Sequence, residues 1–245
     1  MSKKELTKQT TSVAAYSEQD LSDWGASQAS ENDVVIPKLL IMQSNSSLVT
    51  GGDDLAFGDI IESIGKKKLA GFKDDVLIVP FHMKKVWIVK AYNKELDKFV
   101  FVRYEDVTAD EENLEKEFVE GGVKHQRQFC RNFYCLIGND PIPYIVPMKG
   151  MSTRTGKILA TAMYLQNKMK KLPPPGMTFK LSATKEKMDD RTNAAYKIEE
   201  FEPTSLSKVN ECLTWYKMIN AGGVKEAEEH DLEAEASTSN AAPMF

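Results

Sequence analysis

Gln126-Arg127-Gln128-Phe129-Cys130-Arg131-Asn132-Phe133-Tyr134-Cys135-Leu136-Ile137 reads as a β-strand, because its aromatic and apolar residues fit a pleated, half-buried surface. Side chains alternate between the two faces of a strand, so Arg127, Phe129, Arg131 and Phe133 share one face. Guanidinium and ring therefore alternate along it. A plain core strand with Phe129 and Phe133 inside and the arginines at its ends satisfies the same pattern.

Working outward, further β-type segments are Phe57 to Ile64, Asp75 to Met83, Lys85 to Tyr92, Lys98 to Tyr104 and Ile142 to Met148. Asn93 to Asp97 and Gly138-Asn139-Asp140-Pro141 read as turns. Residues 105–120 form an acidic insert, expected as a loop or a short exposed helix, that breaks at Gly121-Gly122. The period then changes. Ile158, Leu159, Ala162, Leu165 and Met169 fall at helical spacing within Ser152 to Leu172, and Pro173-Pro174-Pro175-Gly176 stops that helix. Thr178 to Ser182 and Ala195 to Phe201 read as two strands joined by a long charged loop, and Leu206 to Asn220 as a closing helix. Upstream, Val34-Val35-Ile36-Pro37-Lys38-Leu39-Leu40-Ile41-Met42 opens the folded part. Pro37 argues there for an extended or edge segment.

The expected fold class is mainly β (β+α), an OB-fold-like small barrel or open curled sheet with one inserted helix and a C-terminal helix. Three parts are expected: a flexible N-terminal arm over 1–33, one domain over 34–222, and a disordered acidic tail over 223–245. The arm offers only Tyr16, Leu21 and Trp24 as large apolar groups, too few to offset ordering entropy. With 245 residues the chain can bury a core without metal or disulfide. Cys130, Cys135 and Cys212 fit a reducing compartment, and a five-residue offset puts the first two on opposite strand faces. No apolar run approaches the roughly 20 residues needed to span a bilayer, and the first residues lack a signal-peptide pattern. A cytoplasmic site of action is expected, with no membrane partner.

The net charge of −4 hides an uneven distribution. Residues 1–104 carry 14 bases and 14 acids, and residues 105–120 one base and eight acids. Residues 121–222 carry 16 bases and eight acids, net +8, whereas residues 223–245 carry one base and six acids, net −5. A basic body is joined to an acidic tail.

Cations interleaved with rings suit a single nucleic-acid strand, whose phosphates demand positive charge and whose unstacked bases supply flat faces. The candidate nucleic-acid-binding residues are Lys85, Trp87 and Lys90, Arg103, the stripe Arg127, Phe129, Arg131 and Phe133, and the group Lys149, Arg154 and Lys157. Phe99, Phe101 and Arg103 form a second mixed stripe, and Lys84 sits with Lys85, Trp87 and Lys90 on the preceding strand. Trp87 fits either a base platform or an ordinary core position. Gly150 to Lys157 invites comparison with a phosphate-cradling loop, but five residues separate Gly150 from Gly156 instead of four. Ile158 also stands where a Ser or Thr would hold magnesium. The same cations at a helix start still suit a phosphate backbone. His82, His125 and His230 are scattered without metal-ligand spacing, and Asp53-Asp54, Asp74-Asp75 and Asp189-Asp190 lie in expected loops. No catalytic residue, metal or cofactor is assigned.

The tail runs through Glu226, Glu228, Glu229, Asp231, Glu233 and Glu235, then an uncharged spacer, to Pro243-Met244-Phe245. An acidic segment tipped by proline, an apolar residue and phenylalanine resembles the tails of bacterial and phage single-stranded DNA-binding proteins. The body resembles the phage proteins more loosely, through Ile36-Pro37-Lys38-Leu39-Leu40, Phe57-Gly58-Asp59-Ile60, the Thr153 to Leu159 helix start and the Lys180 to Tyr196 hairpin. The resemblance spans roughly residues 34–202. It implies an oligonucleotide-binding barrel that holds single-stranded DNA, coating and protecting it during phage DNA replication and recombination in the host cytoplasm. It also implies a tail whose Pro243, Met244 and Phe245 recruit replication proteins such as a polymerase, helicase or primase. A homo-oligomer remains open. A phage structural or host-interaction protein and a metal-dependent nuclease are the competing readings, and a tail that is simply solvated accounts for its charges.

Overall fold

The computed structural model describes residues 34–44, 46–50, 54–107, 114–169, 171–188 and 191–227. The arm over 1–33 and the tip Pro243, Met244 and Phe245 lie outside them. In chain order the elements are β1 (Val35–Ile36), β2 (Leu39–Ile41), the short helix α1 (Ser47–Thr50), β3 (Ile60–Glu62), β4 (Lys68–Ala70), β5 (Val76–Asn93), β6 (Lys98–Asp106), β7 (Glu117–Glu120) and β8 (Val123–Ile137). They continue with β9 (Pro143–Lys149), α2 (Thr153–Met169), β10 (Met177–Met188), β11 (Arg191–Pro203), α3 (Leu206–Asn220) and β12 (Lys225–Glu226). The protein is mainly β, as expected.

The long antiparallel pair of β5 and β8 is the frame, running from Ile78 opposite Ile137 to Ala91 opposite His125. Each of these strands is longer than any one partner on its outer edge, so each shares that edge between two. β5 pairs with β10 near its start and β6 over its second half. β8 pairs with β7 at its start and β9 over its second half. The segments 75–83 and 85–92, expected as separate strands, are one. Pro80 is tolerated inside it because the register shifts between Pro80 and His82, where a bulge relieves the missing amide hydrogen.

The expected long charged loop after Ser182 is instead a strand extension: β10 and β11 form a hairpin paired from Met177 opposite Pro203 to Met188 opposite Arg191. Cross-strand partners such as Lys187 and Thr192 carry the pairing into polar sequence, where hydrophobic patterning gives no signal. Likewise the end of the acidic insert is β7, paired to β8. The tail was expected to leave the body at residue 223. Lys225 and Glu226 nevertheless pair in parallel with β1, and Ala227 is buried. The Tyr134 hydroxyl donates to Glu226, and burial together with that carboxylate raises the Tyr134 pKa.

Among the described residues the sheets are open, and their ladders do not close into a small barrel. β2, β3 and β4 form a separate sheet that meets the main one through a parallel bridge from Lys38 to Ile145. A side-chain tie spans the other side. The Gln43 amide accepts from the Ala194 N–H at 2.9 Å and donates to its carbonyl at 3.0 Å. The main core, containing Phe133, Cys135, Val146, Phe179 and Tyr196, lies under α2 through Leu159 and Met163. Tyr134, Leu136 and Phe81 form a second cluster with Cys212 of α3, on the opposite face of β8. Cys130, Val86 and Ile88 make a third, against Phe101 and Tyr104. All three cysteines are free and buried, and desolvation raises the thiol of Cys130 to about 12.

Candidate nucleic-acid interface

The alternation along β8 does place Arg127, Phe129, Arg131 and Phe133 on one face, but α2 covers only part of it. Gly156 allows this approach: a β-carbon there would lie 2.7 Å from Met148 Cβ and 3.7 Å from Arg131 Cδ. Phe133, beneath the helix, is fully buried and belongs to the core, which corrects its assignment to base stacking. Beyond the helix the face opens into a cleft of about 910 Å³.

The cleft exists because the partners of β8 do not meet. β7 pairs with β8 as far as Gln126, and β9 takes over at Cys130. Between them side chains from both faces of β8, Gln126, Arg127, Gln128 and Phe129, reach the opening. β5 contributes Trp87 and Lys90, β6 Phe99, and the start of α2 Thr153 and Lys157. Lys116 closes the other side, its carbonyl accepting the Arg127 N–H at 2.7 Å. Trp87 meets Phe129 edge to face at 5.3 Å, and the Arg131 guanidinium lies over the Phe129 ring at 4.6 Å. Trp87 is 3% exposed, and among the described residues its indole Nε1 has no acceptor.

Six of the eleven predicted binding residues, Trp87, Lys90, Arg127, Phe129, Arg131 and Lys157, thus converge on one cleft. Lys149 lines an adjoining groove of about 470 Å³ that shares Gln128 and Gly150 with it. Lys85 stands opposite Arg131 in the ladder, and Arg154 is exposed on the first turn of α2; neither lines the cleft. Arg103 is turned to acids, bonding Glu105 through Nε at 2.9 Å and Glu120 through Nη2 at 3.0 Å. The expected stripe of Phe99, Phe101 and Arg103 breaks at a register shift between Val89 and Lys90, which puts Phe101 against the third core cluster and Arg103 on the other face. Gln126, Gln128 and Lys116 were missed as site residues. The two glutamines alternate with the arginine and phenylalanine already singled out, while Lys116 was the one base of an acidic run.

Glu105 also accepts from Arg127 Nε at 3.2 Å, and Arg127 lies over the Phe118 ring at 3.8 Å. Partial burial would raise the Glu105 pKa, but the hydrogen bonds from Arg103 and Arg127 together hold it below the ordinary carboxylate value. The acidic insert therefore folds back as a partner to the basic face.

Among the described residues no cluster of three or more His, Cys, Asp or Glu side chains is placed to hold a metal ion, and no helix is long and apolar enough to cross a membrane. No family model matches the chain, and no curated protein or solved structure is significantly similar to it.

Proposed function

We propose that this chain is a phage-type single-stranded DNA-binding protein without catalytic activity, which coats single strands during replication and recombination. One observation carries the proposal: cations and rings that are distant in sequence, Lys90, Lys116, Arg127, Arg131 and Lys157 with Trp87, Phe99 and Phe129, line a single open cleft. Phosphates need the first set, and the half-buried rings of Phe99 and Phe129 offer faces to bases, each such contact contributing about 1 to 3 kcal/mol, while buried Trp87 backs Phe129. Gln43, just after β2, also ties the three-stranded sheet to Ala194 of β11, and both residues wall the groove that adjoins the cleft, where a single strand would continue. Recruitment of replication proteins through Pro243, Met244 and Phe245 belongs to the same proposal.

Titration of a labelled oligothymidine against a duplex of the same length tests it. The single strand is expected to bind more tightly. Phe129→Leu, which keeps an apolar side chain but removes the ring, should weaken that binding roughly tenfold. Equal or absent binding to both ligands would sink the proposal.

A further inference from the structure

Next to the groove that adjoins the cleft, where Lys185 pairs with Ala194 of the groove wall, stands a second group of rings and a cation. Phe57 and Phe72, both half-buried, lie with ring centroids 6.0 Å apart and tilted by 39°. The ammonium of exposed Lys185 sits 5.6 Å from the first ring centroid and 5.3 Å from the second. The arrangement is built into the backbone: Gly58 has φ +84°, and a β-carbon there would come within 2.1 Å of the Phe72 ring. Only glycine lets Phe72 close over this turn.

Main-chain bonds connect this cluster to the groove. Met42, in the groove wall, donates to Asp59 at 2.9 Å and accepts from Gly58 at 2.8 Å, which fixes the turn that carries Phe57. Ala194, also in the wall, is the ladder partner of Lys185. The groove shares Gln128 and Gly150 with the cleft. Rings and cations therefore recur in the cleft and beside the groove that adjoins it, whose lining includes Lys149 and Asn193.

Resting on the cleft assignment above, we propose that Phe57, Phe72 and Lys185 form a second stacking platform, and that a single strand leaving the cleft crosses Gly150 and follows the groove to it. Lys185 approaches both rings loosely enough to share its charge with a phosphate, while the ring pair takes a base. The footprint is then set by two platforms rather than by the cleft alone.

Fluorescence anisotropy with oligothymidines of about four and about sixteen nucleotides, the span of site sizes known for such grooves, separates the two sites. The full-length chain should bind the longer strand more tightly than the shorter. Lys185→Ala should weaken the longer strand about tenfold and leave the shorter unchanged, with Lys185→Arg restoring the loss because it keeps the charge over the rings. A parent protein that binds both lengths alike, or a Lys185→Ala variant that alters neither or both equally, would overturn the second platform while leaving the cleft in place. Binding of neither strand by the parent would overturn the cleft assignment and this proposal with it.

Discussion

On the proposed function Glu105 competes with phosphate for the cleft, since its carboxylate accepts from Nε of Arg127. Replacing it by glutamine keeps an oxygen acceptor but removes one negative charge beside the cations. Glu105→Gln is expected to raise oligothymidine affinity about fivefold at low salt, an effect that added salt erodes, as anisotropy at two ionic strengths would reveal. His82 offers a different test. It lies between Tyr134 at 5.1 Å and Tyr216 at 5.4 Å, and burial first, then the Lys84 charge, lowers its pKa below 6.5 against the opposing pull of Glu226. The unfolded chain therefore binds more protons than the folded one as pH falls through 6.5, so His82 lowers stability progressively on the acid side. Thermal midpoints between about pH 7 and about pH 5 should decline less in His82→Gln than in the parent.

At the scale of elements, the placement of α2 decides what part of the β8 face is core and what part is site. Gly156→Ala should improve helix propensity by about 1 kcal/mol yet destabilise overall by roughly 1 to 3 kcal/mol, because the methyl group collides with Met148 and pushes the helix from β9. Urea unfolding would measure the loss, and a displaced Lys157 should weaken DNA binding alongside it. Gly156 had drawn notice as part of a failed phosphate-loop comparison; its role is close packing. β12 is held by a part-buried hydrogen bond from Tyr134 rather than by length. Glu226→Ala deprives the Tyr134 hydroxyl, in a residue 1% exposed, of its acceptor and also removes the bond from Asn132 at 3.5 Å. A loss of about 1 to 3 kcal/mol in chemical denaturation is expected. The α3 boundaries, by contrast, matched their expectation over Leu206–Asn220, since Ser205 caps the helix by accepting from the Lys208 N–H and Gly222 adopts φ +77° beyond its end.

At the scale of the whole molecule, the five cations of the cleft predict a salt dependence. With about 0.7 counterion released per phosphate neutralised on a single strand, the logarithm of affinity should fall with the logarithm of salt with a slope of about −3.5. Lys157→Ala should reduce that slope by about 0.7, measured over about 50 to 200 mM salt. The β-rich class, the turns at Asn93 to Asp97 and Gly138 to Pro141, both long helices and the ring-and-cation face of β8 were legible in the sequence, because periodicity and turn chemistry are local and a strand alternates wherever its register is unbroken. The identity of the cleft was not. Whether Phe133 meets a base or the core depends on where α2 lies, and whether Arg103 serves phosphate or Glu105 depends on a register shift and on the return of the acidic insert as β7. Sequence by itself determined that Arg127, Phe129, Arg131 and Phe133 share a face, because β8 keeps a regular register through them. Only the tertiary structure decided which faces are covered and which charges are already matched, because covering and matching come from residues far away along the chain.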